Sequence, residues 1–305
     1  MVRTLICMHV GQHPPPSHLL AHVSDTQFLA GRRPLYDRVD TDALLAQAMA
    51  QLEGYGSRLD AMIFTGDIAD LGEPDAYRRV RDIVEPTAAL LGAEVIWVMG
   101  NHDERSAFRA ELLRAPPSTE PVDRVVNLNG LRVVSIDTSV PGYHHGRLDD
   151  AQLDWLAGVL SRPAPHGTLL TMHHPPLPTP MPVMQAIELL EQDRLADVVR
   201  GTDVRAVLGG HLHYSTTGMF AGVPVSVAAS TCYTVDTSAP VRRHAGWNGA
   251  QAMNLVSVHP DQVVHTVAPL GSFEPVDVDP NGMVGIVGGL TAEQRIERIS
   301  RRDVW

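Results

Sequence analysis

Cysteine is nearly absent from this chain: Cys7 and Cys232 are the only two, which excludes a disulfide framework. Neither lies in a Cys-x-x-Cys pair or beside another polar block, so neither is assigned to metal, and two unpaired thiols suit a reducing cytoplasm. Long apolar runs are missing as well. No stretch approaches the roughly 18 residues of a transmembrane span. The short run at 5–8 after Arg3 is soon interrupted by His13 and Pro14-Pro15-Pro16, too brief for a secretory h-region. Positive charge is also scarce, with 24 Lys and Arg against 35 Asp and Glu and a net charge of −11. That balance argues against general binding to nucleic acid, although bound metal cations would offset part of it.

What is present is an ordinary globular composition of 305 residues, 44% hydrophobic and 19% charged, with ample material for a core. Residues 1–17 read as an irregular lead-in. Strands are expected at 18–24, 61–64, 95–98, 131–136, 168–172 and 204–208. Helical spacing alternates with them at 41–52, from Pro74 toward Leu91, after His102 toward Leu113, and at 149–160 and 185–199. Strands alone follow, at 225–229, 253–258 and 263–267. Alternation followed by consecutive strands predicts an α/β architecture of mixed sheets with helices outside. Residues 18–270 form one domain on this reading, because no cut inside it leaves the polar blocks together. Residues 271–305, rich in Gly and Pro, read as a flexible extension with a short terminal helix from Ala292 to about Arg301, capped by Thr291 and Gln294.

Five polar blocks carry the chemistry: Asp25-Thr26-Gln27, Gly66-Asp67, Gly100-Asn101-His102-Asp103, His173-His174 and Gly210-His211-Leu212-His213. Each follows a strand-like segment. Oxygen and imidazole donors gathered at strand ends suit a pair of cations that activate water. A carboxylate such as Asp67 can bridge two cations through its two oxygens. Gly-Asp alone is nearly worthless as evidence, since a turn residue explains it far better. Gly-His-Leu-His is the most specific block: in extended chain His211 and His213 project to one side. Adjacent residues point oppositely, so only one of His173 and His174 is expected to bind metal, and His173 follows the strand directly.

In this order the blocks resemble the calcineurin-like metallophosphoesterase superfamily, whose pattern runs D-x-H, G-D, G-N-H-D/E, H, G-H-x-H. The likeness tightens toward its class III cyclic nucleotide phosphodiesterases. The resemblance implies an αββα sandwich with its site on loops at the strand ends. It implies a first ion held by Asp25, Asp67 and His213 plus the histidine that is Gln27 here. A second ion would be held by Asp67, Asn101, His173 and His211. The ions implied are Fe and Mn, with Zn or other divalent ions as alternatives. A metal-bridging hydroxide attacks phosphorus in that family. Asn101 and His102 would contact the phosphate, His102 would protonate the leaving oxygen, and Asp70 would orient His102. A homodimer, cyclic AMP as substrate and a cytoplasmic location are also implied.

Gln27 offers a neutral amide oxygen in place of an imidazole, a poorer match for iron or zinc, so weakened occupancy of the first site is expected. His22 as a substitute is disfavoured, because three residues before Asp25 it points to the opposite strand face. His144-His145 either faces substrate or lies on a solvated loop, and Tyr233 either shapes the pocket or packs in the core. The tail residues Arg295, Arg298, Arg301 and Arg302 form a solvated basic helix or touch an envelope surface, the former preferred. Competing functions are a broader phosphoesterase, acting on monoesters, 2′,3′-cyclic nucleotides or other diesters, and a binding protein with a degraded site. Seven retained site positions against one departure argue against the last.

Overall fold

Strand β1 (His18–Val23) runs between β12 (Ala252–Val258), antiparallel, and β2 (Ala61–Thr65), parallel; β13 (Val263–Pro269) and β3 (Glu94–Val98) complete a five-stranded sheet in the order β13-β12-β1-β2-β3. A second sheet of six strands is ordered β4-β5-β6-β7-β9-β8, formed by Arg124–Leu128, Leu131–Ser135, Thr168–Thr171, Val204–Gly209, Val223–Val227 and Thr216–Phe220 for β4, β5, β6, β7, β9 and β8. This computed structural model describes residues 11–56, 58–239, 245–274, 276 and 285–302. Cys7 and most of the expected lead-in lie outside them, as do Pro275, Pro280 and Gly282 of the extension.

The strand sequences explain the layering. All five residues of β2 are buried, because both faces are covered, which is why it reads as a continuous apolar run instead of an alternation. Ala61 and Ile63 pack between the sheets with Leu20, Val133, Leu169, Leu208 and Val256. Met62 and Phe64 pack outward beneath α1 (Thr41–Gly54), α2 (Pro74–Leu91) and α3 (Arg105–Glu111). The second sheet is covered by α4 (Asp150–Leu160), α5 (Pro182–Gln185) and α6 (Gln192–Val199). The result is the expected α/β sandwich of two mixed sheets flanked by helices.

One expected helix is broken in two. Residues 185–199 are not one helix: α5 ends at Gln185 and α6 begins at Gln192 after Glu191, whose φ is 54°. Between them Gly146 N–H donates to the Glu188 carbonyl at 3.1 Å and Leu190 N–H to the Gly146 carbonyl at 2.8 Å. These tertiary bonds outbid the helical periodicity. Four strands also go beyond the sequence reading: β4, β8 and the short pair β10 (Thr234–Val235) and β11 (Gly246–Trp247). The β4–β5 hairpin turns through Asn129-Gly130, with φ 44° and 102°, the positive-φ pair that such a hairpin demands. The β8–β9 hairpin turns likewise through Ala221-Gly222, with φ 51° and 84°. At the tail, α7 (Ala292–Arg295) has the expected Thr291–Gln294 capping box, then widens into a π-helical turn at Ile296–Ser300.

One polar cluster lies within the inter-sheet space. His22 is fully buried there, and burial lowers its pKa to about 3, with His265 adding to the shift. Burial likewise lowers His265 to about 4, and neither of its ring nitrogens has a hydrogen-bond partner. Both rings are neutral in the folded protein, whereas in the unfolded chain they take up protons near pH 6.5. Stability therefore falls as pH drops from 6.5 toward 4, His265 alone accounting for about 2 kcal/mol by pH 5. In urea titrations at pH 7.5 and pH 5, His265→Leu is expected to lose less stability than the parent by about that amount.

Candidate metal centre

The five blocks converge at the C-terminal ends of the central strands, and the backbone there is unusual. Asp25, Gln27, Asp67, His211 and His213 all have positive φ, between 47° and 69°. Non-glycine residues seldom adopt this region, and clusters of them mark sites where geometry is imposed by the surrounding structure. His211 and His213 do line one cavity of about 250 Å³ together with Gln27, Asp67, Asn101 and His102. They do so by way of left-handed turns, not through the extended alternation the sequence suggests. Two glycines make the close approach: a Cβ on Gly100 would lie 2.2 Å from Asp67 N, and one on Gly210 2.0 Å from Ser24 Oγ.

Each imidazole is aimed by a backbone carbonyl. His173 Nδ1 donates to Thr65 O at 2.8 Å, His213 Nδ1 to Tyr233 O at 3.0 Å, and His211 Nε2 to Ile187 O at 3.0 Å. Donation from one ring nitrogen fixes the ring so that the other is the nitrogen available to a metal. The acceptor for His211 comes from the segment between α5 and α6, which is what the break in the expected helix accomplishes. His173 Nε2 then stands 3.3 Å from Asp67 Oδ2 and 3.1 Å from Asn101 Oδ1, and His213 Nε2 stands 3.3 Å from Asp25 Oδ1.

The electrostatics favour a cation. Burial works to raise the Asp67 pKa, yet the charges of His173 and His102 hold it well below the usual carboxylate range. Burial works to lower His173, yet Asp67 raises it to about 9. A centre that so strongly favours a protonated imidazole between carboxylates equally favours a metal ion. Two oxygens complete the fit: Asp25 Oδ1 and Gln27 Oε1 are buried with no hydrogen-bond partner. Such atoms are costly unless a ligand satisfies them. The residues present therefore suit metal.

Gln27 does more than replace a donor. Its Nε2 lies 3.3 Å from His213 Nε2. That Nε2 also stands 3.3 Å from Asp25 Oδ1, so the amide crowds the one ring nitrogen of His213 that a metal could use, its Nδ1 being committed to Tyr233. His174, whose ring also approaches His173 and His211, has both nitrogens engaged, with Thr138 Oγ1 at 2.8 Å and His144 O at 3.0 Å. Those two bonds make it a buttress of the site. His22 is engaged in a hydrogen-bond chain behind it. Its Nε2 lies 2.9 Å from Thr65 Oγ1, which donates to Ser24 Oγ, itself a donor to Asp25 Oδ2.

His102 sits at the rim, with Nδ1 2.9 Å from the backbone carbonyl of Asp70 and 3.5 Å from its carboxylate. The carbonyl is the nearer partner, so the orientation expected from the Asp70 side chain comes chiefly from its backbone. Asp103 ties the second and third blocks together by accepting from Ile68 N, Ala69 N, Gly100 N and Tyr77 Oη. The sequence reading left this residue without a task. His144, left open there, lies at the cavity, 3.0 Å from Asn101 Nδ2 and 5.1 Å ring to ring from His102. Tyr233 stacks on His213 at 4.3 Å, and Tyr36, unsuspected from sequence, meets Tyr233 edge-on at 5.6 Å.

Fold and site together define the class of metal-dependent hydrolases that gather carboxylate, amide and imidazole donors at strand ends. A family profile described as calcineurin-like phosphoesterase matches residues 18–215. The chain is 52% identical over 269 residues to a cAMP/cGMP dual specificity phosphodiesterase of Mycobacterium tuberculosis, covering 88% of this chain and 85% of that one. It is also 52% identical over 272 residues to a probable cyclic nucleotide phosphodiesterase of Rhodococcus erythropolis, at 88% and 90% coverage. A dimetal phosphatase of Danio rerio shares the fold with a TM-score of 0.56 at 16% identity, over 83% of this chain and 99% of that chain. The protein belongs to the calcineurin-like phosphoesterase family and is a metal-dependent phosphoesterase. Among the described residues no helix is long and apolar enough to cross a membrane.

Proposed function

We propose that the protein hydrolyses 3′,5′-cyclic nucleotides, cyclic AMP foremost, at a dinuclear centre whose first metal position is weakened by Gln27. The observation that carries this reading is the convergence of Asp25, Asp67, Asn101, His173, His211 and His213 beside a rim histidine, in a chain half identical to a cAMP/cGMP phosphodiesterase along nearly its whole length. Asp25, Asp67, His213 and Gln27 would hold the first ion; Asp67, Asn101, His173 and His211 would hold the second. Iron and manganese suit this mixed oxygen and nitrogen set, and zinc is an alternative. When bound, such a pair supplies Lewis acidity and water activation at neutral pH.

The chain's own residues supply the rest. Asp70 O holds His102 Nδ1, so Nε2 is the free ring nitrogen for a phosphate oxygen or the leaving 3′ oxygen. The charge of Asp67 and the Asp70 carbonyl raise the pKa of His102 despite its burial. A ring kept protonated can give its proton to an alkoxide as the ester bond breaks. Asn101 and His144, hydrogen-bonded to each other, wall the same side. We assign the protein to the cytoplasm as a homodimer, in keeping with its scarce cysteine and its family likeness.

The test is turnover of cyclic AMP, cyclic GMP, 2′,3′-cyclic AMP and bis(p-nitrophenyl) phosphate, with manganese supplied. Hydrolysis of the 3′,5′-cyclic nucleotides with the highest kcat/KM is the expected result. Turnover of the generic diester alone would leave a broader phosphodiesterase. Metal binding with no turnover of any ester would leave a binding protein on the same fold.

A further inference from the structure

A second cavity of about 450 Å³ adjoins the metal centre, lined by Tyr36, Arg38, Tyr233, Gly246, Trp247 and Asn248. Tyr36 and Tyr233 line both cavities, so the two share a wall. The volume falls within the roughly 300–1,000 Å³ of small-molecule sites. Its walls are aromatic, in a chain where aromatic residues make up only 5%. Tyr36 is 64% exposed and Trp247 58% exposed, so neither is a core residue that merely reaches the surface.

Both rings are held in place. Tyr36 has φ 53° and lies in a tight turn closed by Leu35 N–H donating to Val39 O at 2.9 Å. Trp247 is carried by β11 (Gly246–Trp247), paired with β10 (Thr234–Val235). Gly246 is required beneath: a Cβ there would meet the Tyr233 ring at 2.5 Å. Arg38, at the rim, forms no ion pair among the described residues. Asn248 uses its amide oxygen on Gln251 Nε2 at 3.2 Å, which leaves its amide N–H groups uncommitted.

Rigid aromatic faces, a guanidinium and an amide are the parts that recognise a nucleobase, by stacking and by hydrogen bonds to its edge. A cyclic nucleotide bound by its phosphate at the metal cavity must project its base only a short way, and the aromatic cleft is the adjoining space. We propose that this cleft, between Tyr36 and Trp247 with Arg38 and Asn248 at its rim, seats the purine base of the substrate and confers the preference for nucleotides over simple diesters. The inference rests on the cyclic nucleotide reading above and extends it from the phosphate to the base.

The experiment compares the manganese-supplied full-length protein with Trp247→Ala, Trp247→Phe and Tyr36→Ala, using cyclic AMP and bis(p-nitrophenyl) phosphate. Both alanine variants are expected to raise KM for cyclic AMP roughly tenfold or more; Trp247→Ala, which lies outside the metal cavity, should leave kinetics with the generic diester within about twofold and be largely rescued by phenylalanine at 247. AMP should quench the tryptophan fluorescence of the parent and lose that effect in Trp247→Phe, a readout independent of turnover. Equal losses on both substrates, or no loss on either, overturn the base site while the cyclic nucleotide reading stands. A parent that cleaves the generic diester but neither hydrolyses cyclic AMP nor responds to AMP overturns both. A change of oligomeric state on gel filtration of the alanine variants assigns the aromatic patch to contact between copies and overturns the base site.

Discussion

Gln27→His is expected to gain metal and activity together, because Gln27 both supplies a weak donor and crowds a strong one. Its amide lies 3.3 Å from His213 Nε2, the only nitrogen of that ring not committed to the Tyr233 carbonyl. A histidine removes that competition and adds an imidazole of its own. Losing an outer partner of a metal ligand already costs about 10- to 100-fold in affinity or activity, and restoring an inner donor should gain at least as much. The expected results are about one further manganese per chain under limiting metal and a rise of roughly tenfold or more in kcat. Gln27→Ala separates the two causes, since it frees His213 without adding a ligand and should recover only part of the metal affinity. If the histidine variant gains neither metal nor activity, the first position is not what limits this protein.

The second large effect is expected at His102. Replacing it with alanine should lower kcat for cyclic AMP by about 10²- to 10⁴-fold, the usual range for loss of a general acid, with metal content unchanged. The leaving group supplies a control. The p-nitrophenolate of a generic diester departs without a proton, so His102→Ala should cost far less on that substrate. A loss of equal size on both would mean that His102 binds phosphate and does not donate a proton. Asp70→Asn should cost little on either, less than about tenfold, because the nearer partner of His102 Nδ1 is the Asp70 backbone carbonyl and any residue supplies one. Both measurements need only steady-state kinetics and a metal assay on purified protein.

Much of this was legible in advance. The alternation of apolar runs placed β1, β2, β3, β5, β6, β7, β9, β12 and β13 within a residue or two, since buried strands and amphipathic helices write their periods directly into the chain. The hairpin at Asn129-Gly130 was open to the same reading, since it carries a turn dipeptide that two-residue loops demand; the one at Ala221-Gly222 was not, because alanine carries no signal for the positive φ it adopts there. Residues 186–191 were not. Their pattern is helical, and only the hydrogen bonds to Gly146, far away in sequence, override it. Asp103, Tyr36 and Trp247 were equally unreadable, because what each does depends on partners from other elements.

By itself, then, the sequence determined the inventory of donors, their order along the chain and the single departure at Gln27. Local chemistry suffices for these, because strand ends, glycines and polar blocks are read residue by residue. Tertiary structure alone decided which nitrogen of each histidine faces the cavity, that Gln27 binds His213, that the Asp70 carbonyl holds His102, and that an aromatic cleft opens beside the metal centre. Those are facts about contacts between distant residues, such as Gln27 and His213, 186 positions apart, and such contacts are set when two sheets pack, which no local pattern records.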